Sequence, residues 1–191
     1  EHGPVEALFT VDEETGLTGA FELGEGMLTG KYLVNLDSED EGEIFIGCAG
    51  GIDTIATFHY TMEPSPKNYT FFRVDVSDLQ GGHSGDDIDK GRVNSNKTVA
   101  RLLWDGMQSF ELKLCYFNGG NLRNAIPREA YAIFGVPVRF KEEFVKRYNL
   151  FAADLEAEFR FREPNFKITL NEMPHVDEVL DSRTQSALVY S

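Results

Sequence analysis

The sequence predicts an α+β protein whose larger part is an open-faced β-sheet with helices on one side. Two observations lead to this prediction. Beyond Gly50-Gly51, long segments with strand patterning alternate with two amphipathic helical segments. Their order of strand, helix, strand, strand, helix, strand is that of the split βαβ arrangement. Before Gly50, shorter apolar segments end in acidic residues, which indicates a piece of a different domain.

Short strands are expected in the first part, where apolar runs are bounded by turn residues. They cover residues 5–11, 32–36 and 43–48. The first leads into Glu13 and Glu14, and the second delivers Asp37. Ala49-Gly50-Gly51 has the composition of a hinge, so we expect one domain over residues 1–50 and a second over residues 51–191.

Longer elements are expected in the second part. The strands lie at about 54–62, 68–79, 109–118, 128–138 and 158–170, and the helices at about 89–105 and 140–157. The first helix carries Val93, Val99, Leu102 and Leu103, mostly at a spacing of three to four residues. This spacing places one apolar face of the helix against the sheet.

Composition restricts the classes of function. The net charge of −14 over 191 residues argues against nucleic acid and anionic membrane surfaces, because both require clustered Lys and Arg. Cys48 and Cys115 lie in apolar, strand-like settings, so we expect no disulfide framework and a reducing, cytoplasmic compartment. The chain has no apolar run of about 18 residues and is expected to be soluble. Because it begins without methionine, in mid-pattern, we expect it to be part of something longer.

Acidic residues of the first part form one candidate site. Glu13 and Glu14 follow a predicted strand, where successive side chains point in opposite directions and cannot easily chelate one ion together. They can divide the work, one ligating a cation while the other accepts a proton from an activated water. Asp37 could add a further oxygen ligand. Solvated turn carboxylates explain the same pattern, so spacing alone leaves both interpretations open.

A glycine-flanked histidine forms the second candidate site. In Gly81-Gly82-His83-Ser84-Gly85 the glycines allow a sharp turn that holds the imidazole clear of its own strand. This arrangement suits a histidine that acts on a group outside its own domain. A purely structural turn histidine is the alternative.

Four motifs occur in an order that resembles the M20 family of metallopeptidases, and within it the aminoacyl-histidine dipeptidase group. They run over nearly the whole chain and read Phe9-Thr10-Val11-Asp12-Glu13-Glu14-Thr15-Gly16, Asn35-Leu36-Asp37, Gly81-Gly82-His83-Ser84-Gly85 and Asn124-Ala125-Ile126-Pro127. The resemblance implies a short piece of an α/β zinc-peptidase catalytic domain, followed by a lid or dimerisation domain that is cut short at its C-terminal end.

Roles for individual residues come from this resemblance. It implies that Glu13 is the general base, that Glu14 ligates one of two zinc ions and that Asp37 ligates the other. Manganese or cobalt would suit such ligands as well. It further implies that His83 reaches over the active site to polarise the scissile carbonyl, and that Asn124 binds the backbone of a dipeptide substrate. The expected activity is hydrolysis of dipeptides, including Xaa-His.

Further metal ligands of the family, a His-x-Asp motif, a bridging aspartate and a late histidine, are expected outside this chain. The one His-x-Asp present, His175-Val176-Asp177, follows the lid segment and is expected to be a surface loop. Zinc sites draw about four ligands, so we expect the isolated chain to be catalytically inert.

A non-catalytic binding or dimerisation module is the alternative to an enzyme. Open-faced sheets pair across two-fold axes, and an edge strand at 109–118 could support a homodimer. On this interpretation the chain keeps the lid fold for binding or dimerisation and takes no part in catalysis.

Overall fold

The computed structural model describes residues 2–37, 41–48 and 50–190, without the side chain of Thr15. Ala49 of the predicted hinge lies outside the described residues. The chain divides into two units, Glu1–Ile52 and Asp53–Ser191. No helix among the described residues combines the length and the apolar character needed to cross a membrane.

The first unit contains two short helices, α1 (Glu13–Gly16) and α2 (Thr18–Phe21). Its described residues contain no strand, so the strands predicted at 5–11, 32–36 and 43–48 are wrong. A strand requires a hydrogen-bonded neighbour, and these segments have none among the described residues. Their apolar side chains lie exposed, with Phe9 at 91% and Tyr32 at 93%. Apolar patterning alone was therefore a misleading signal here.

The second unit contains the remaining elements. In chain order these are β1 (Met62–Pro64), β2 (Tyr69–Ser77), β3 (Gly82–His83), α3 (Ser95–Ser109), β4 (Lys113–Gly119), β5 (Ala125–Ile126), β6 (Ala130–Pro137), α4 (Lys141–Phe159), β7 (Lys167–Met173), β8 (Glu178–Leu180) and α5 (Ser182–Tyr190). Short 3₁₀ helices occur at Ile88–Lys90 and Val138–Phe140.

A four-stranded antiparallel sheet forms the centre of this unit, with strand order β4-β6-β2-β7. Phe72 pairs with Phe134 and with Glu172 across the two central registers. With α3 after β2 and α4 after β6, the unit has the expected split βαβ order, and the predicted fold class is confirmed. Two-stranded sheets β1-β8 and β3-β5 flank it.

Several boundaries differ from prediction for local reasons. Helix α3 begins at Ser95 rather than near 89, because Gly91 adopts φ +66° and the Asn94 side chain caps the helix by accepting the Lys97 N–H at 3.2 Å. Helix α4 continues to Phe159, so β7 begins at Lys167 rather than near 158. Of the strand expected at 54–62, only Met62 is paired. Helix α5 was not predicted.

The core lies between one face of the sheet and the two long helices. Alternate residues of β2, namely Phe72, Val74 and Val76, are at most 3% exposed and pack in one cluster with residues of α3 and α4. The Phe134 ring contacts Phe72 and Phe144 at centroid distances of 6.1 and 5.5 Å. Both helices therefore cover the same face, as the sequence predicted.

On the opposite face of the sheet, the buried cluster among the described residues of the second unit lies at one end. There Val179 of β8 packs with the buried Phe71 and Cys115. Burial raises the pKa of the Cys115 thiol to about 12. Toward the other end, the Arg73 guanidinium binds Asp75 and lies 4.0 Å from the centroid of the half-buried Tyr131 ring. This end of the open face adjoins the loops that carry His83 and Asn124.

Asp181 ties helix α5 to the segment before β1. Its carboxylate accepts the Arg183 and Thr184 N–H groups at 3.0 and 2.9 Å, the Thr184 hydroxyl at 2.5 Å and the Thr61 N–H at 3.3 Å. These bonds, that from the Thr184 hydroxyl first, lower the pKa of Asp181 from 3.8 to about 2. The cap therefore favours the ionised carboxylate.

The two leucines of α4 provide a matched test of the core. Leu155 is fully buried and Leu150 is 63% exposed. Leu155→Ala should destabilise the second unit by about 2–5 kcal/mol, since it leaves a cavity, whereas Leu150→Ala should change stability by less than about 0.5 kcal/mol. Denaturant unfolding followed by fluorescence of Trp104, the single tryptophan, measures both. Equal losses would contradict the assigned core face.

Asp181→Ala should lower stability at neutral pH, and the deficit relative to wild type should shrink as pH falls. Because the pKa of Asp181 is depressed in the folded chain, its contribution is complete above about pH 4 and is lost toward pH 2. Urea unfolding between pH 7 and pH 2 tests this. Glu178→Ala removes an exposed carboxylate of β8 with no side-chain partner among the described residues and is the control, for which no pH-dependent deficit is expected. A pH-independent deficit in Asp181→Ala would refute the role of the charge.

Candidate functional site

The His83 loop leaves the sheet through two glycines with unusual backbone angles. Gly81 has φ +66° and Gly82 has φ +150°, values that residues with a side chain rarely adopt. A Cβ atom on Gly82 would also lie 2.5 Å from an oxygen of Asp87. Substitution of Gly82 would therefore displace the turn. The glycines flanking His83, taken from the sequence as a sign of a sharp turn, have this structural basis.

His83 and Asn124 lie on adjacent segments. Strands β3 and β5 pair so that Gly82 faces Ile126 and His83 faces Ala125. The Ser84 N–H donates to the Asn124 carbonyl at 2.8 Å. Both side chains are exposed. The structure thus brings together the segments of the two residues that the resemblance predicted as lid-domain site residues.

The ring of His83 is oriented by the backbone that follows it. Its Nδ1 atom accepts the Gly85 N–H at 3.0 Å and the Asp86 N–H at 3.2 Å. A nitrogen that accepts two hydrogen bonds carries no proton, so in the neutral ring the proton is on Nε2. His83 therefore presents an N–H donor on the side of the ring that faces away from its own loop.

Asp87 is a residue of the candidate site to which the sequence analysis gave no role. Its Oδ2 atom accepts the His83 backbone N–H at 2.7 Å, and its Oδ1 atom binds Lys90 at 2.6 Å. The bond from Lys90, followed by that from the His83 backbone, lowers the pKa of Asp87. An aspartate four residues beyond a glycine-flanked histidine was the available signal, because short acidic side chains commonly bond to nearby backbone N–H groups.

A groove of about 630 Å³ lies beside these two segments. The groove is lined by Gly82 and Ala125, which are adjacent in sequence to His83 and Asn124. Arg73 and Asp75 of the open sheet face also line it. Its volume lies in the range of small-molecule sites. Arg128 lines the same groove and donates from Nε to the Leu79 carbonyl at 2.9 Å. Arg123 forms an ion pair with Asp53.

Glu13, Glu14 and Asp37 belong to the first unit. Glu13 and Glu14 form the start of helix α1 and are exposed, so the expected strand end is replaced by a helical turn after Asp12, which has φ 56°. Successive helical side chains also diverge, by about 100°, so the two carboxylates still point apart. Asp37 is exposed, and its N–H donates to the Asn35 side chain at 3.1 Å.

These carboxylates do not complete a metal site. Among residues 2–37, 41–48 and 50–190, no three or more His, Cys, Asp or Glu side chains are arranged to hold a metal ion. His175 and Asp177 lie in the loop between β7 and β8, with 3.9 Å between His175 Nε2 and Asp177 Oδ1. Both side chains are exposed, as predicted for a surface loop.

Three comparisons with known proteins match this chain to peptidases. The profile of the peptidase dimerisation domain of the M20 family matches residues 66–168. Cytosol non-specific dipeptidase of Escherichia coli (strain K12) is 38% identical over 188 residues, which are 98% of this chain and 39% of that protein. The crystal structure of aminoacylhistidine dipeptidase from Vibrio alginolyticus superposes with a TM-score of 0.80 at 39% identity, covering 95% of this chain and 37% of the other.

This chain thus spans about two fifths of the length of these two relatives. The profile match covers β2, the two long helices and the His83 and Asn124 segments, and it reaches the start of β7. The resemblance inferred from the four motifs is confirmed by these matches. The chain belongs to the M20 peptidase family and contains its dimerisation domain.

Proposed function

We propose that this chain is part of a cytoplasmic metallo-dipeptidase that hydrolyses dipeptides, among them Xaa-His. The two relatives, named as dipeptidases, support the reaction class. The observation that carries the proposal is the geometry of His83: an exposed imidazole, oriented through Nδ1, with its Nε2 donor directed away from the loop. The remaining roles follow from the motifs.

His83 would donate its Nε2 proton in a hydrogen bond to the carbonyl oxygen of the scissile peptide. As that oxygen gains negative charge in the transition state, a donor already in place needs no reorganisation, which is the basis of oxyanion stabilisation. Asn124 on the neighbouring segment would bind the substrate backbone, because its amide offers both donors and an acceptor. The side chain of Asn124 makes no hydrogen bond within the described part of the chain.

Glu13 would act as the general base. It accepts a proton from the attacking water and passes it to the leaving amine. Its carboxylate is exposed at the start of α1 and is not bound to another side chain among the described residues. A base of this kind must be free to bind and release a proton.

Glu14 and Asp37 would contribute oxygen ligands for zinc, or for manganese or cobalt, and the metal would supply water activation. The described residues alone do not fit a complete zinc site, since no three donor side chains among them are grouped to hold a metal ion. We therefore expect the isolated chain to bind metal poorly and to be inactive. The remaining ligands would lie in the additional sequence of a protein as long as the relatives.

A homodimer formed through the dimerisation domain is the second part of the proposal, supported by the profile match at residues 66–168. Strands β4 and β7 are the edges of the sheet. The first part of the β4 edge is occupied, because Gln185 accepts the Leu114 N–H at 2.7 Å and donates to the Leu112 carbonyl at 2.9 Å. Pairing would then use the end of β4 or the β7 edge. A module that only dimerises is the alternative.

Metal content and dipeptidase activity distinguish the two functions. We expect the complete gene product that contains this chain to bind about two zinc ions and to hydrolyse β-Ala-His or Gly-Gly, whereas the isolated chain should do neither. In the complete protein, Glu13→Gln should remove most turnover and leave bound metal nearly unchanged, since the base is not a ligand.

His83→Ala in the complete protein should lower kcat more than it raises KM, as expected of a group that acts mainly in the transition state. A complete protein that dimerises without metal or activity would favour the dimerisation module.

The protonation of His83 can be tested without activity. ¹⁵N NMR of the imidazole should show the proton on Nε2 and a bare Nδ1 in the neutral ring. Asp87→Ala removes the acceptor for the His83 N–H, so exchange of that amide should accelerate about tenfold. The neighbouring Asp86→Ala removes a carboxylate that makes no hydrogen bond within the described residues and should leave both signals unchanged. A predominant Nδ1–H tautomer would contradict the proposed donor.

A further inference from the structure

The loop that carries His83 begins and ends on the same buried carboxylate. The Gln80 N–H donates to Oε2 of Glu163 at 2.7 Å, and the Val93 N–H donates to Oε1 at 3.1 Å. Glu163 is 2% exposed. The Gln80 side chain adds a hydrogen bond to the Arg162 carbonyl. One side chain thus joins the two ends of the segment 80–93.

The backbone of Glu163 is hydrogen-bonded to residues on both sides. It lies just beyond helix α4, and its N–H donates to the Phe159 carbonyl at 2.8 Å, while its carbonyl accepts the Phe166 N–H at 3.0 Å. The rings of Phe159 and Phe166 meet edge to face at 5.2 Å. Phe159 belongs to the main core, together with the fully buried Leu155. The carboxylate is therefore fixed to the core of the second unit.

The desolvation of the Glu163 carboxylate must be offset by hydrogen bonds. A desolvated carboxylate is unfavourable unless it accepts strong hydrogen bonds, and here it accepts two from backbone N–H groups. An apolar residue at position 163 would avoid the desolvation of a charge but would leave both N–H groups without an acceptor. What the carboxylate adds over an apolar side chain is the attachment of both loop ends.

We propose that Glu163 is a positioning residue for His83, holding the base of its loop at a fixed place on the core. Asp87, Gly81 and Gly82 determine the conformation of the loop near His83. Glu163 determines the position of the loop relative to the core. Joining the ends removes conformational freedom from the segment between them, so the imidazole samples fewer positions. The catalytic significance of this inference rests on the proposed function of His83.

Glu163→Gln tests the proposal with almost no change in volume. An amide has one oxygen, so it cannot accept both N–H groups in the way that a carboxylate does. Hydrogen exchange of the Gln80 or Val93 amide should accelerate about tenfold, and the His83 ring signals should shift, while exchange of the core amide of Val74 stays within about twofold. Glu156→Gln changes an exposed carboxylate of α4 and should leave all these signals as in wild type.

The wild-type chain provides a second test, in case the variant fails to fold. The Gln80 and Val93 amides should exchange far more slowly than that of an exposed residue such as Asp89, and at similar rates to one another, because one carboxylate holds both. Unprotected Gln80 and Val93 amides would overturn the proposal, as would Glu163→Gln with unchanged loop exchange and unchanged His83 signals.

Kinetics of the complete gene product separate this inference from the proposed function. Glu163→Gln should reproduce the signature of His83→Ala, with kcat falling more than KM rises. If His83→Ala is impaired while Glu163→Gln turns over normally, the positioning role is refuted and the proposed function stands. A complete protein without dipeptidase activity refutes the proposed function, and the exchange measurements then decide whether Glu163 holds the loop.

Discussion

Burial of one face of the four-stranded sheet beneath α3 and α4 is the constraint on which the second unit depends. The residues of β2 alternate between this face and the open one, with Val74 fully buried and Arg73 on the open side. Because the period of a strand is two, a shift of one residue would expose the whole apolar set. The register is therefore determined by the core. It also places the end of β2 at Ser77, from which the loop toward His83 departs.

The candidate site is stabilised by a different kind of interaction. The residues between Leu79 and Val93 contribute no side chain to the main apolar core, and their backbone N–H groups need acceptors. Two carboxylates supply these acceptors. Asp87 accepts the His83 N–H within the turn. Glu163 accepts the Gln80 N–H at the base of the loop, although the two residues are 83 positions apart in the chain. Pairing of β3 with β5 then places Asn124 beside His83. A polar framework fixed to an apolar core thus supports an imidazole that is both oriented and exposed.

The first unit illustrates how far local pattern can mislead. Its apolar runs have the composition of strands, yet their side chains are exposed and its described residues contain only short helices. Glu6 is one of the few side chains there with a distant partner, binding the N–H groups of Thr29 and Gly30. The residues to which the motifs assign the carboxylate chemistry therefore lie in a unit with little core of its own. This is why their roles rest on the motifs, whereas the orientation of His83 rests on geometry.

The sequence by itself determined the fold class, the order of the sheet strands and long helices, and the family, because these depend on periodicity and on short motifs that are local in the chain. It also singled out two residues as candidates, His83 from its flanking glycines and Asn124 from the resemblance to the M20 family. Only the tertiary structure decided that the segments of these two residues adjoin, that Nδ1 of His83 is an acceptor, and that Asp87 and Glu163 accept backbone N–H groups of the loop. The beginning of α3 at Ser95 and the helical turn at Glu13 were likewise structural outcomes. The physical reason is that hydrogen bonds between distant backbone and side-chain groups leave no periodic trace in the sequence, whereas burial of an apolar face does.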